Sequence, residues 1–157
     1  MNASVNRQIL LVEKPGGKLG PEHFRLVDGA VPEPRDGEVL LHTRLISLDA
    51  ANRAWMHGAT YRSAVEANSV MAGGSISEVV SSKAQGFAPG DLVFADTGWQ
   101  DFAALPATQL TKMPKVEPMS YLLSVYGIAG LTAYFGLLHV GKPKEGETIV
   151  VSAAAGS

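Results

Sequence analysis

At 157 residues the chain is long enough for one domain with a substantial core and part of another, and its formal charge of −2, with Lys and Arg scattered, offers no footprint for nucleic acid or a membrane surface. No run approaches the roughly 18 apolar residues of a membrane span, and Met1–Arg7 carries no apolar signal-peptide core, so the expected location is cytoplasmic. The absence of cysteine excludes disulfides and thiolate zinc sites, and His23, His42, His57 and His139 have no metal-type pairing, so no metal is expected.

Taken in order, the apolar run Ile9–Val12 predicts a first strand, Lys14–Pro21 is a breaker-rich turn, and Phe24–Val27 predicts a second strand. Val31–Gly37 is a proline-rich link that ends in an Asp-Gly turn signal. Glu38–Leu48 is the clearest strand; His42, Thr43, Arg44 and Ser47 interrupt its apolar character, so one face should be more buried than the other. Asp49 then stands where a helix cap would, followed by the helix formers Ala50–Met56 and by Gly58 as a stop. Tyr61 follows in a loop, where it either packs its ring with the hydroxyl in water or presents that hydroxyl to a ligand.

Val70–Val80 reads as a glycine-marked strand, in which Gly73 and Gly74 mark either a barrel corner or the close approach of another group. Phe87–Phe94 is a Pro-Gly-Asp turn leading into a strand, Trp99 reads as core, and Leu110–Met113 is a last short strand. Several short strands with one intervening helix predict a β-barrel-like domain over roughly residues 1–115.

After Pro118 the pattern becomes helical. Leu131, Tyr134, Phe135 and Leu138 fall at i, i+3, i+4 and i+7, but Ala133, Leu137 and Val140 occupy the other side, so this helix needs partners on more than one face. Self-association or poor order of this segment is expected if the chain stops at Ser157. Thr148–Val151 is a β-branched run suited to a buried parallel strand, and Ser152–Ser157 has no bulk. A strand running into small residues is how a dinucleotide-binding βαβ unit opens, although any buried strand with a flexible end looks the same.

Three stretches carry a family resemblance. Gly130–Ser157, with Ala153-Ala154-Ala155-Gly156, closely resembles the domain junction of zinc-free medium-chain dehydrogenase/reductases, in particular the prostaglandin reductase and curcumin reductase group. Gly98-Trp99-Gln100-Asp101-Phe102 matches a segment of the same group. Ser47–Arg53 resembles the family's strand-to-helix corner, with Ile46 and Ser47 where zinc-dependent relatives place a metal-binding cysteine and Ala50-Ala51-Asn52 where the family often has Pro-Tyr-Met.

The resemblance implies a mainly β fold with α: a GroES-like β-barrel catalytic domain over residues 1–117, then the first helix and strand of an incomplete NADP-binding Rossmann domain over 118–157. It implies the N-terminal part of an NADPH-dependent, zinc-independent oxidoreductase that reduces the C=C bond of α,β-unsaturated ketones or aldehydes. The expected partner is therefore a small-molecule enone. Tyr61 and Asn52 are the candidates for polar groups near the substrate oxygen. Thr132 and Ala153, Ala154, Ala155 and Gly156 are the candidates for cofactor contacts, with Thr132 equally readable as a helical threonine bonded to its own backbone. Most NADP-binding residues would lie beyond Ser157, so the isolated chain should be inactive. The competing reading is a non-catalytic β-barrel module for binding or oligomerisation.

Overall fold

The computed structural model describes residues 5–152 and divides into two compact units, Met1–Pro114 and Lys115–Ser157. The first unit contains β1 (Asn6–Leu11), β2 (Phe24–Gly29), β3 (Glu38–Ile46), helix α1 (Ala50–His57), β4 (Ser69–Val70), β5 (Ser75–Ser82), β6 (Leu92–Ala95), β7 (Phe102–Pro106) and β8 (Thr111–Met113). All strand pairs are antiparallel. They form a three-stranded sheet of order β2-β1-β4 and a five-stranded sheet of order β7-β3-β5-β6-β8.

The mainly β fold is as expected, but among the described residues the strands do not close into one hydrogen-bonded barrel. The larger sheet ends in the three-residue β8, too short to carry the ladder round, while β3 bends through register shifts against β5 at Leu40/Leu41 and Thr43/Leu45. A seam joins the two sheets instead. Its backbone bonds run from Ile9 N–H to the Trp99 carbonyl (2.9 Å), from Asp101 N–H to the Arg7 carbonyl (3.0 Å) and from Thr43 N–H to the Asp101 carbonyl (2.8 Å). Asn6, 1% exposed, completes it: its side chain accepts from Phe102 N–H at 2.8 Å and donates to the Phe102 carbonyl at 2.9 Å, as a neighbouring strand would.

Two apolar clusters fill the unit. Val39 and Leu41 of β3 meet Val79, Val93 and Ala95 within the larger sheet. Leu11 of β1 meets Trp55 and Met56 of α1, Val65 and Met71, with Phe24 and Trp99 packed against them. The second cluster anchors α1, because its buried face is Asn52, Trp55 and Met56, spaced i, i+3, i+4.

The single strand predicted over Val70–Val80 is two, because residues 71–74 turn away from pairing to meet the seam: Trp99 N–H donates to the Met71 carbonyl at 2.8 Å and Gly98 N–H to the Gly73 carbonyl at 3.0 Å. Phe102–Pro106 is a strand that periodicity left unassigned.

In the second unit, α2 (Ile128–Tyr134) runs into a π-helical segment, Phe135–Gly141. Leu131, Tyr134, Phe135, Leu137, Leu138 and Val140 are all exposed, as a helix that is apolar all round without partners must be. The strand expected over Thr148–Val151 is not formed, and Ile149, Val150 and Val151 are exposed. A strand is stabilised only by a neighbour that takes up its backbone N–H and C=O groups, and none lies beside this run among the described residues.

Candidate functional site

The β3–α1 corner is fixed by a reciprocal cap. The Asp49 carboxylate accepts from Ala51 N–H at 2.8 Å, and Asp49 N–H donates to Asn52 Oδ1 at 2.7 Å, so two groups that a helix start leaves orphaned find partners. Asn52 Nδ2 donates onward to the Ala72 carbonyl at 3.1 Å, tying the corner to the stretch between β4 and β5. Arg53 Nη2 donates to the Gly17 carbonyl at 2.5 Å and holds the turn before β2. The predicted stop is present too: Gly58 N–H bonds the Ala54 carbonyl at 3.3 Å.

The two candidates for the substrate oxygen therefore differ. Asn52 is buried with its amide engaged on both sides, whereas Tyr61 is 82% exposed and stands edge-on to Trp55 with ring centroids 6.0 Å apart. Trp55 is itself 6% exposed, and its ring is covered by the Arg62 guanidinium at 4.6 Å from the centroid. Arg62 also lies 3.4 Å from Asp96 Oδ1. Beside it is an open depression of about 410 Å³, lined in part by Arg62, Glu66, Ser69, Val70 and Ala72. Sequence reasoning passed over Arg62; its adjacency to Tyr61 was the only signal, and the stack on Trp55 depends on how the loop returns.

The paired glycines admit rings rather than backbone. A Cβ on Gly73 would lie 2.7 Å from Trp99 Nε1, and one on Gly74 would lie 2.9 Å from the Phe94 ring. Trp99 stacks on Phe24 at 5.4 Å. Its indole N–H and that of Trp55 are buried without a hydrogen-bond partner among the described residues. Gly98 takes a left-handed conformation (φ 71°), with the Met71 carbonyl 2.9 Å from where a Cβ would stand, so any larger residue there meets both backbone strain and a clash. The Gly98–Phe102 motif is thus the seam of the fold.

At that seam Arg7 and Asp101 form a two-point ion pair, Nε to Oδ2 at 2.7 Å and Nη2 to Oδ1 at 3.2 Å. The hydrogen bond from Arg7 holds the Asp101 carboxyl below the usual carboxylate range, and the same bond raises Arg7. Among the described residues, no three His, Cys, Asp or Glu side chains assemble as a metal-binding group, and no helix is long and apolar enough to cross a membrane.

Of the cofactor candidates, Thr132 lies exposed on α2, and its hydroxyl makes no hydrogen bond among the described residues. Ala153, Ala154, Ala155 and Gly156 lie outside the described residues.

Residues 7–113 match a family described as the N-terminal domain of oxidoreductase. The chain belongs to this oxidoreductase family. It is 42% identical over 153 residues to the NADPH-dependent curcumin reductase of Escherichia coli (strain K12), covering 96% of this chain and 44% of that protein. It is 36% identical over 138 residues to prostaglandin reductase 1 of Bos taurus, covering 85% of this chain and 40% of that protein. Among solved structures, CurA from Vibrio vulnificus in complex with NADPH matches with a TM-score of 0.83 and 40% identity, over 94% of this chain and 44% of that one. The resemblance read from Gly98–Phe102 and Gly130–Ser157 holds, and the chain spans less than half the length of the relatives it matches.

Proposed function

We propose that this chain is the N-terminal part of an NADPH-dependent, zinc-independent oxidoreductase that reduces the C=C bond of α,β-unsaturated ketones or aldehydes in the cytoplasm. The observation that carries the reading is the match over 94% of the chain to a solved structure holding NADPH. On this reading, residues 1–117 form the substrate domain and residues 118–157 open the cofactor domain.

Bound NADPH would supply the hydride to the β-carbon of the enone, and a proton taken up from solvent at the α-carbon would complete the reduction. The chain's own residues orient and stabilise. Tyr61, with its hydroxyl outside the core, donates a hydrogen bond to the carbonyl oxygen on which negative charge develops. Asn52 acts at the same site by fixing the corner that carries the loop, since its amide is already engaged by Asp49 and Ala72. Thr132, with a free hydroxyl, and the Ala153-Ala154-Ala155-Gly156 turn would hold the cofactor, the turn because small residues let backbone N–H groups approach a pyrophosphate.

The test is NADPH oxidation by the full-length protein with an enone and with its saturated analogue. Turnover of the enone alone supports the reading, and in the Tyr61→Phe variant kcat/KM should fall by about tenfold to a hundredfold. No turnover of any enone would overturn it. A non-catalytic oligomerisation module is the second reading, favoured by the exposed apolar run Leu131–Val140; NADPH-independent self-association without turnover is what it requires.

A further inference from the structure

Residues 71–74, between β4 and β5, are held in alternation by two different parts of the first unit. The Met71 carbonyl accepts from Trp99 N–H at 2.8 Å and the Gly73 carbonyl from Gly98 N–H at 3.0 Å, both at the seam. The Ala72 carbonyl accepts from Asn52 Nδ2 at 3.1 Å and the Gly74 carbonyl from Ser47 N–H at 2.9 Å, both at the β3–α1 corner. Four successive carbonyls thus fasten one side of the stretch to the seam and the other to the corner. On the seam side, the Trp99 ring packs against the cluster of Leu11, Trp55 and Met56 and stacks on Phe24 with centroids 5.4 Å apart. Its pyrrole edge faces Gly73, where a Cβ would stand 2.7 Å from Nε1 and 2.9 Å from Cδ1. The indole N–H at that edge is buried without a hydrogen-bond partner among the described residues, a cost that a phenylalanine in the same place would not carry.

We propose that Trp99 is a positioning residue for the reduction: wedged between Phe24 and Gly73, it sets the place of residues 71–74 and, through their carbonyls, that of Ser47 and Asn52 at the corner; this rests on the reductase reading above. The ring cannot swing away from Gly73, because its other contacts are in the core, so its width fixes how far the stretch stands from the seam. A small displacement of the corner moves the loop that carries Tyr61, and misplacing a group that acts in the transition state lowers kcat more than it alters KM.

The experiment compares three variants of the full-length protein that carries this chain, by NADPH oxidation with an enone, by urea midpoint, and by NMR of the Ser47 backbone amide and the Asn52 side-chain amide. Trp99→Phe narrows the wedge and Gly73→Ala drives a methyl group into it. Val93→Ala loosens the other apolar cluster and touches neither the seam nor the corner. Trp99→Phe and Gly73→Ala should each lower kcat by about tenfold with KM within about twofold, and both should shift the Ser47 and Asn52 resonances. Val93→Ala should lower the urea midpoint and leave kcat and KM within about twofold. Should Gly73→Ala fail to fold, Trp99→Phe, which adds no bulk, decides. Unmoved Ser47 and Asn52 resonances in Trp99→Phe, an unchanged kcat in that variant, or an equal loss of kcat in Val93→Ala would each overturn the proposal. The resonances need no turnover, so failure of the reductase reading would appear separately, as absent enone reduction by the unmodified protein beside a corner that still moves with Trp99.

Discussion

Asn6 shows how one side chain can stand in for a strand. It must accept from Phe102 N–H and donate to the Phe102 carbonyl at once, which an amide does with two separate atoms, Oδ1 and Nδ2. Asn6→Ala should therefore destabilise the first unit by about 2–4 kcal/mol, read from urea denaturation, because two buried backbone groups lose their partner. Asn6→Asp should fail as well, since a carboxylate accepts but cannot donate. Gly98→Ala should cost about 1–3 kcal/mol through its left-handed backbone and the approach of the Met71 carbonyl. The Arg7–Asp101 pair makes stability pH-dependent in a defined direction. Asp101 is depressed in the folded state, so its contribution is present above the unfolded carboxyl value of about 3.9 and is lost as pH falls through the lower folded value. In Asp101→Asn that part of the acid dependence of the urea midpoint should disappear.

At the scale of elements, α1 is the piece whose limits follow from adjacent residues. Its cap, first turn and stop at Asp49, Asn52 and Gly58 are local chemistry, and the structure places them where the sequence pattern does. Asp49→Ala should cost about 1 kcal/mol of thermal or urea stability by freeing the Ala51 N–H. Elements whose partners lie far away in the chain were read less well. Phe102–Pro106 gave no strand signal because Ala103 and Ala104 carry no alternation, and it is a strand because β3 pairs with it. Thr148–Val151 has strong β propensity but no neighbouring strand among the described residues, and it remains unpaired there. The site divides in the same way: the Asp49–Asn52 corner was legible, whereas the seating of Arg62 on Trp55 requires a loop to return and leaves no trace in spacing.

For the whole molecule, the two units differ in how much apolar surface they leave exposed. The first has two buried apolar clusters and exposes apolar side chains singly, such as Leu26 and Leu48, while the second exposes Leu131, Tyr134, Phe135, Leu138, Val140, Ile149, Val150 and Val151. The 157-residue chain should therefore self-associate in sedimentation experiments, and Leu131→Lys with Val140→Lys should shift it toward monomer. The proposed role as the substrate half of a reductase is tested most directly by NADPH fluorescence titration of this chain beside the full-length protein that carries it. Binding by the full-length protein, with little or none by the 157 residues alone, is the predicted result. Tight binding by the isolated chain, or none by the full-length protein, would contradict the account.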